Sequence, residues 1–155
     1  VYCENQNSYQ SKRIADCIIK DDMQEIYPLL DEADCYIFAT PINMGHETSI
    51  IKAFMERTCF VLAKPGNFPL KGCPTPRNPK KKRAIVIVSS GVVPPILRYF
   101  CDDATPLIKD FCHCILNARL VGSLYAGALE KRGTDFYSSQ AKKLGQKLVK
   151  PYMKA

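Results

Sequence analysis

Residues 84–91 decide the fold, and they read Ala84-Ile85-Val86-Ile87-Val88 followed by Ser89-Ser90-Gly91. Five apolar residues that stop at small polar ones are typical of a strand buried on both faces of a parallel sheet. Two further runs have the same character: residues 35–40, which stop at Pro41, and residues 120–125. The sequence therefore predicts three strands of one parallel sheet.

Helical patterns alternate with these strands. Apolar residues recur at helical spacing over residues 21–33, 48–62, 105–116 and 138–150. Pro28 lies inside the first of these segments, which predicts either a kink or a new helix start at that point. Alternation of strands and helices is typical of a parallel sheet flanked by helices, so we predict an α/β fold.

The composition is that of an ordinary globular domain. Of the 155 residues, 46% are hydrophobic and 24% are charged, which excludes a disordered tail or a fibrous repeat. No apolar run approaches the roughly 20 residues that a membrane-spanning helix needs. We therefore expect a single domain over residues 1–155 and no membrane partner.

The basic charge is concentrated in one loop. The chain carries 22 basic and 15 acidic residues, a formal charge of +7, and many of the basic ones lie in the proline-rich residues 71–83. A solvated loop is the ordinary interpretation of such a run. The alternative is attraction of an anionic substrate, such as a dinucleotide phosphate. Because no aromatic residues are interleaved with the charge, we expect no nucleic-acid partner.

The cysteine pattern favours reduced thiols. Several of the eight cysteines lie in apolar runs, Cys35 and Cys59 among them, and buried thiols behave as small hydrophobic groups. We therefore expect a reducing, cytoplasmic localisation. Residues two apart on a helix point in different directions, so Cys112-His113-Cys114 predicts packing and not a metal site.

The loops after the first two strands form the candidate ligand site. Ligands of parallel sheets bind beyond the carboxyl ends of the strands, and these loops are residues 40–47 and 89–95. Their small residues suit a flat ligand held by main-chain groups, although any strand-to-helix turn also uses Gly, Pro and Ser. His46 in the first loop could approach such a ligand or face solvent. Asp102-Asp103 predict a helix-entry turn and not an acid–base pair.

An ordered set of short motifs resembles one protein family. The motifs are Cys17-Ile18-Ile19-Lys20-Asp21-Asp22-Met23, Glu32-Ala33-Asp34, Ala39-Thr40-Pro41-Ile42 and Lys52-Ala53-Phe54-Met55-Glu56-Arg57. In this order they resemble the flavodoxin-like NAD(P)H-dependent FMN reductases, including the branch related to iron–sulfur flavoproteins. The resemblance implies a flavodoxin-like three-layer sandwich with a parallel sheet. The family's first β-loop-α unit, which holds the FMN phosphate, has no counterpart in this sequence, so we expect an N-terminally incomplete domain.

The resemblance also implies a cofactor and a reaction. FMN is the expected cofactor and NAD(P)H the expected cosubstrate, with hydride passed through FMN to a quinone, a flavin or another small-molecule acceptor. Because hydride moves directly between nicotinamide and flavin, no catalytic side chain is predicted. The residues that match the family's cofactor-binding loops are Thr40, Pro41, Ile42, Asn43, Met44, Gly45, Ser89, Ser90 and Gly91.

The sequence departs from the family pattern at two kinds of position. Asn43 stands where the family has an aromatic residue, and Glu56 stands where it has Asp. An iron–sulfur cluster needs four thiolates, whereas only Cys3 and Cys17 occur in the corresponding region. We therefore expect no cluster and no other metal. An FMN-binding electron carrier and an interaction protein that has lost FMN remain the alternative functions.

The resemblance implies a homodimer or homotetramer with the flavin near the subunit boundary. Two apolar groups are candidates for that interface, because aromatic residues and Met are enriched in interface cores. The candidates are Phe54, Met55, Phe60 and Leu62, together with the run Ile96-Leu97-Arg98-Tyr99-Phe100. Filling of the intramolecular core is the alternative role for these residues.

Overall fold

Three parallel strands form the main sheet of the structure, a computed structural model that describes residues 13–66 and 72–149. The described residues form five strands in all: β1 (Cys35–Pro41), β2 (Ala63–Lys64), β3 (Thr75–Pro76), β4 (Lys82–Ser89) and β5 (Ala118–Ala126). The main sheet has the order β1-β4-β5, and both of its strand pairs are parallel. Its three strands contain the three predicted apolar runs, which confirms the parallel sheet. The short antiparallel pair of β2 and β3 was not predicted.

Four of the five helices that the described residues form begin and end within two residues of their predicted bounds. The five are α1 (Met23–Glu32), α2 (Ser49–Leu62), α3 (Ala104–Cys114), the short α4 (Leu129–Arg132) and α5 (Ser138–Val149). The short α4 was not predicted. Two 3-10 helices, Pro95–Phe100 and Asp135–Tyr137, were not predicted. Pro28 lies inside α1, which continues through it as one helix, so no new helix starts there.

Helices pack on both faces of the sheet. Ala84, Val86 and Val88 of β4 belong to the core that α1, α2 and α3 share with the sheet. Ile85 of β4 belongs to a second core with Leu144 and Leu148 of α5. Because alternate residues of a strand point to opposite faces, the molecule has three layers, and the predicted α/β class is confirmed.

Three of the residues expected at a subunit interface are core residues. Met55 and Leu62 are buried, and Phe54 packs against Phe38 and Phe111 with ring centroids 6.3 and 6.2 Å apart. The interface prediction is therefore wrong for these three residues. Their burial follows from the width of the inner face of α2, which lies over β1 and beside α3.

Strand β1 has one bare face. Tyr36, Phe38 and Thr40 are buried against the helices, whereas Ile37 is 62% exposed and Ala39 is exposed on the opposite face. Within residues 13–66 and 72–149, β1 pairs along one edge only, with β4. This strand is therefore half covered, in contrast to β4.

The buried side chain of Lys82 connects the amino-terminal end of the sheet to α1. It is 2% exposed, and its Nζ donates hydrogen bonds to the carbonyl oxygens of Leu30 and Asp31, both at 2.8 Å, and to Tyr36 Oη at 2.6 Å. Burial lowers the pKa of Lys82. The prediction of a solvated basic loop is therefore wrong for Lys82. Lys71, from the same run, lies outside the described residues.

Two asparagines complete this closed end. Asn78 Nδ2 donates to Asp31 Oδ1 at 2.8 Å and to Asp31 O at 2.9 Å. Asn117, whose φ is +52°, donates from Nδ2 to the carbonyl oxygens of residues 78, 79 and 80. The loop before β4 is therefore fixed by buried side chains rather than by regular secondary structure.

Two cysteines contradict the expectation of reduced thiols. Cys73, beside β3, and Cys114, the last residue of α3, form a disulfide across a sequence separation of 41 residues. The free cysteines among the described residues are Cys17, Cys35, Cys59, Cys101 and Cys112. Cys112 is fully buried, as the packing interpretation predicted, and burial raises its pKa to about 12.

Candidate functional site

The carboxyl ends of β1 and β4 carry two loops that are tied together. Pro41 and Ser89, the last residues of these strands, are partners in the parallel register. Beyond them, the Ile42 N–H donates to the Ser89 carbonyl oxygen at 2.8 Å. The structure therefore brings the two predicted loops side by side at one edge of the sheet.

The first loop contains a tight turn in an uncommon conformation. Asn43 and His46 exchange both backbone hydrogen bonds, at 2.9 and 3.0 Å, and the central residues Met44 and Gly45 have φ of +53° and +88°. Positive φ at both central positions identifies a type I′ turn. Gly45 adopts this conformation freely, whereas Met44 adopts it at a cost of about 1 kcal/mol. The Met44 side chain is 99% exposed, so this strained residue stands at the rim of the site.

The turn is held at its base and at its tip. At the base, the buried Thr40 accepts a hydrogen bond from the Thr48 N–H at its Oγ1, 3.3 Å away. At the tip, the Asp103 N–H donates to the Gly45 carbonyl oxygen at 2.9 Å. Thr40 therefore positions the first loop from inside the fold.

The two aspartates before α3 form the predicted helix-entry turn. Asp102 accepts hydrogen bonds from the Thr105 N–H at 2.9 Å and from Thr105 Oγ1 at 2.8 Å, and it pairs with Arg98 Nε at 2.7 Å. Asp102 is therefore a capping group occupied by neighbours, and it is not available for acid–base chemistry. The role of Asp103 in holding the turn was not predicted, because sequence patterns do not report backbone contacts between distant loops.

The second loop is held by a segment that sequence reasoning missed. The Ser90 N–H donates to the Ala126 carbonyl oxygen at 3.0 Å, and the Ala128 N–H donates to the Val93 carbonyl oxygen at 2.9 Å. Between them, Gly127 lies so close to Val93 that an added Cβ would stand 2.5 Å from its carbonyl oxygen. A glycine directly after an apolar strand was the available signal for this close approach.

Four backbone donors at this edge have no partner within residues 13–66 and 72–149. They are the N–H groups of Met44 and Gly45 in the first loop and of Gly91 and Val92 in the second. Backbone donors fixed in place can stabilise negative charge that develops on a ligand without reorganising. This donor set fits the edge of a flat heterocycle that accepts electrons.

Side chains add few polar groups to the site. His46 is exposed, and its backbone is engaged in the turn. Glu47 Oε2 is buried, and no hydrogen-bond partner is present for it among the described residues. The site therefore offers backbone groups for binding and no arranged acid–base pair.

The motifs around Cys17 and Arg57 stabilise the fold away from the loops. The Arg57 guanidinium donates to both carboxylate oxygens of Asp21, at 2.7 and 2.9 Å, and it lies 3.8 Å from Cys17 Sγ. The hydrogen bond from Arg57 lowers the pKa of Asp21. Tyr27 donates from its hydroxyl to the Arg57 carbonyl oxygen at 3.2 Å, and burial raises its pKa to about 12. These residues therefore attach the start of α1 to α2.

The described residues contain no cluster of metal ligands. Over residues 13–66 and 72–149, no group of three or more His, Cys, Asp or Glu side chains could hold an ion. Cys3, one of the two cysteines in the region of the family's cluster motif, lies outside these ranges. In the same ranges, no helix combines the length and the hydrophobicity that crossing a bilayer requires.

The fold and the site together define a class. The parallel order β1-β4-β5, with helices on both faces and two loops side by side at the carboxyl ends of the strands, is a flavodoxin-like arrangement. Solved structures have this fold. Smu.1420 from Streptococcus mutans superimposes with a TM-score of 0.61 and 21% identity, covering 81% of this chain and 64% of its own. An FMN-dependent NADH-azoreductase from Bacillus anthracis, in complex with FMN, gives a TM-score of 0.58 and 16% identity, covering 80% and 59%.

Sequence comparison then gives the family. Residues 3–93 match the family model of the NADPH-dependent FMN reductases, and the chain belongs to that family. An iron–sulfur flavoprotein from Methanocaldococcus jannaschii is 43% identical over 56 residues, which cover 36% of this chain and 28% of that protein. The match therefore spans less than a third of the length of this curated relative. The family assignment agrees with the flavodoxin-like fold.

Proposed function

We propose that this chain holds FMN across the carboxyl ends of β1 and β4 and passes hydride from NAD(P)H to a quinone, a flavin or another small acceptor. The observation that carries the proposal is a set of four N–H groups that have no partner among the described residues, in two loops joined by the Ile42–Ser89 hydrogen bond. When bound, FMN would supply the two-electron chemistry that amino-acid side chains lack.

The proposed roles of the loop residues follow from their contacts. Met44, Gly45 and Gly91 would donate backbone hydrogen bonds to the ring. Pro41, Ile42 and Asn43 would border it, while Thr40, Ser89 and Ser90 would hold the two loops in register through the bonds described above. No catalytic acid or base is assigned, since hydride transfer needs a fixed distance and a dry surface rather than a proton relay.

One matched pair of variants tests the donor set. Val92→Pro removes an N–H group that has no partner among the described residues, whereas Val92→Ala keeps that group and shortens the exposed side chain. We expect Val92→Pro to weaken FMN binding about tenfold, the worth of one hydrogen bond to a buried acceptor, and Val92→Ala to bind as the wild type does. Quenching of FMN fluorescence on titration measures both affinities.

The control measurements separate the alternative functions. A wild-type chain that takes up no FMN would overturn the proposal in favour of an interaction protein. A chain that binds FMN but does not oxidise NADH or NADPH with a quinone present would be an electron carrier. Equal affinities of Val92→Pro, Val92→Ala and the wild type would remove the second loop from the site.

We further infer that two copies of the chain associate through the 3-10 helix Pro95–Phe100. Tyr99 is 90% exposed, and Ile96 and Phe100 are nearly as exposed, which places a contiguous apolar group beside the ligand edge. Patches of this kind mark interaction sites, and two-fold homodimers are the commonest assembly. Light scattering of Tyr99→Asp should show a monomer, and Phe136→Asp, at an exposed aromatic residue elsewhere, should behave as the wild type. A monomeric wild type would contradict the inference.

A cytoplasmic localisation is part of the same proposal. It is supported by five free cysteines among the described residues, two of which are buried. Disulfides in a reducing compartment are usually transient and redox-sensing. The Cys73–Cys114 disulfide is compatible with such a compartment as a transient, redox-sensing bond.

A further inference from the structure

The Cys73–Cys114 disulfide joins an exposed loop to the end of a core helix. Cys73 is exposed, and Cys114 is half-buried at the carboxyl end of α3. This end of α3 lies at the amino-terminal side of the sheet, opposite the ligand loops. The disulfide is therefore separate from the proposed flavin site.

Two grooves meet at this disulfide. The polar groove, about 580 Å³ in volume, is lined by both cysteines together with Lys81, His113 and Asn117. The apolar groove, about 320 Å³, lies between α2 and α3. Both cysteines also line it, as do Pro74 and the apolar residues Met55, Cys59, Leu107, Phe111 and Ile115. The disulfide and Pro74 therefore form a wall between a charged surface and an apolar one.

Among residues 13–66 and 72–149, few backbone contacts fix the short segment around Cys73. Beyond it, β3 pairs with β2 through only two residue pairs, and the Arg77 N–H donates to the Leu62 carbonyl oxygen. Cys73 and Thr75 are exposed, and the half-buried Pro74 is the residue of this segment that lines the apolar groove. Cleavage of the disulfide would therefore free this segment from α3 without disturbing the main sheet.

We propose that Cys73–Cys114 is a reducible latch whose opening removes the wall between the polar groove and the apolar groove between α2 and α3. A dithiol is the reductant. One of its thiolates attacks the exposed Cys73 sulfur, the S–S bond breaks, and Cys114 leaves as a thiolate that takes up a proton. The second thiol of the dithiol then displaces Cys73, which also takes up a proton. The dithiol becomes a disulfide, and two electrons reach the two cysteines.

The surroundings of the latch suit this exchange. Attack comes from the polar groove, where the Lys81 ammonium favours an approaching thiolate and the departing one. On the apolar side, the half-buried Cys59 lines the same groove as Pro74, and burial raises its pKa. Displacement of the segment that carries Cys73 and Pro74 would therefore increase the access of reagents to this third thiol.

Cys59 provides the readout of this movement. The 155-residue chain is treated with a maleimide under native conditions, with and without prior dithiothreitol, and each cysteine peptide is quantified by mass spectrometry over time. We expect no labelling of Cys73 and Cys114 without reductant and full labelling after it. We also expect Cys59 to react at least fivefold faster after reduction, and equally fast in Cys73→Ser and Cys114→Ser without reductant.

Two other cysteines distinguish opening from unfolding. Cys35, half-buried beside the carboxyl end of α5, and Cys112, fully buried in the core, should keep their rates in every sample. Acceleration at all of these positions would show global unfolding and would overturn the latch. An unchanged rate at Cys59, or labelling of Cys73 and Cys114 before reduction, would also overturn it.

Discussion

The two ends of the parallel sheet are built on opposite principles. At the amino-terminal end, the buried Lys82 and Asn78 and the half-buried Asn117 donate hydrogen bonds from their side chains to backbone carbonyl groups. At the carboxyl end, the loops hold one another through backbone hydrogen bonds and leave donors and side chains exposed. The polar groups of the first end stabilise the fold, whereas we propose that those of the second end bind FMN. Changes at the first end should therefore alter folding, and changes at the second should alter binding.

The sharpest test of this contrast compares two neighbouring lysines at the stabilising end. Lys82→Met removes three hydrogen bonds at once from a buried network, while the Asp31 carbonyl keeps its bond from Asn78 and the Leu30 carbonyl keeps its bond from Tyr36. We expect it to lower the free energy of unfolding by about 3 kcal/mol. Lys81→Met, next to it but exposed, should change that free energy by less than about 0.5 kcal/mol. Urea unfolding measures both values. Equal changes in the free energy of unfolding for the two variants would show that the buried hydrogen bonds of Lys82 do not stabilise the fold.

Gly127 tests whether the second loop depends on its support. The Cβ of Gly127→Ala would lie 2.5 Å from the Val93 carbonyl oxygen, so the backbone of the loop has to move. We expect a loss of about 2 kcal/mol in stability and at least a tenfold loss of FMN affinity. Gly145→Ala, in α5 with open space around it, should retain affinity and gain up to about 1 kcal/mol. Wild-type FMN affinity in Gly127→Ala would show that FMN binding does not depend on the close approach of Gly127 to the second loop.

Two residues with the same backbone conformation should respond in opposite ways. Met44 and Asn117 both have φ near +50°, at opposite ends of the sheet. Met44→Gly relieves strain and should raise the free energy of unfolding by about 1 kcal/mol. Asn117→Gly loses hydrogen bonds to three carbonyl groups and should lower it by about 2 kcal/mol. Thermal unfolding of the two variants measures both changes. Changes of the same sign would contradict the proposed difference between the two ends of the sheet.

The smallest expected effect is on alkaline stability. Because the pKa of Tyr27 is raised to about 12 in the folded chain, the unfolded chain loses this proton first, near pH 10. The free energy of unfolding should therefore fall as the pH rises from 10 to 12. Tyr27→Phe should show a shallower fall over this range in urea titrations. An identical slope would mean that the hydroxyl is as accessible folded as unfolded.

Sequence reasoning succeeded where one physical signal dominates. The three main strands and four helices follow from apolar runs and helical spacing, and the position of two loops side by side follows from the ends of β1 and β4. The binding of a ligand by these loops stays a prediction. It failed where the outcome depends on distant contacts. The burial of Lys82 depends on carbonyl groups of α1, more than 50 residues away. The positive φ of Met44 and the pairing of Cys73 with Cys114 likewise have no local signature.

Helix α3 touches both ends of the molecule. The residue before it donates to Gly45 in the turn, and its last residue is Cys114, roughly 16 Å away along an eleven-residue helix. If α3 occupies different positions in the oxidised and the reduced chain, FMN binding and reduction of the disulfide are thermodynamically linked through this helix. Linkage is reciprocal. A tenfold change in FMN affinity on reduction of the disulfide would thus appear as a shift of about 30 mV in its reduction potential when FMN binds.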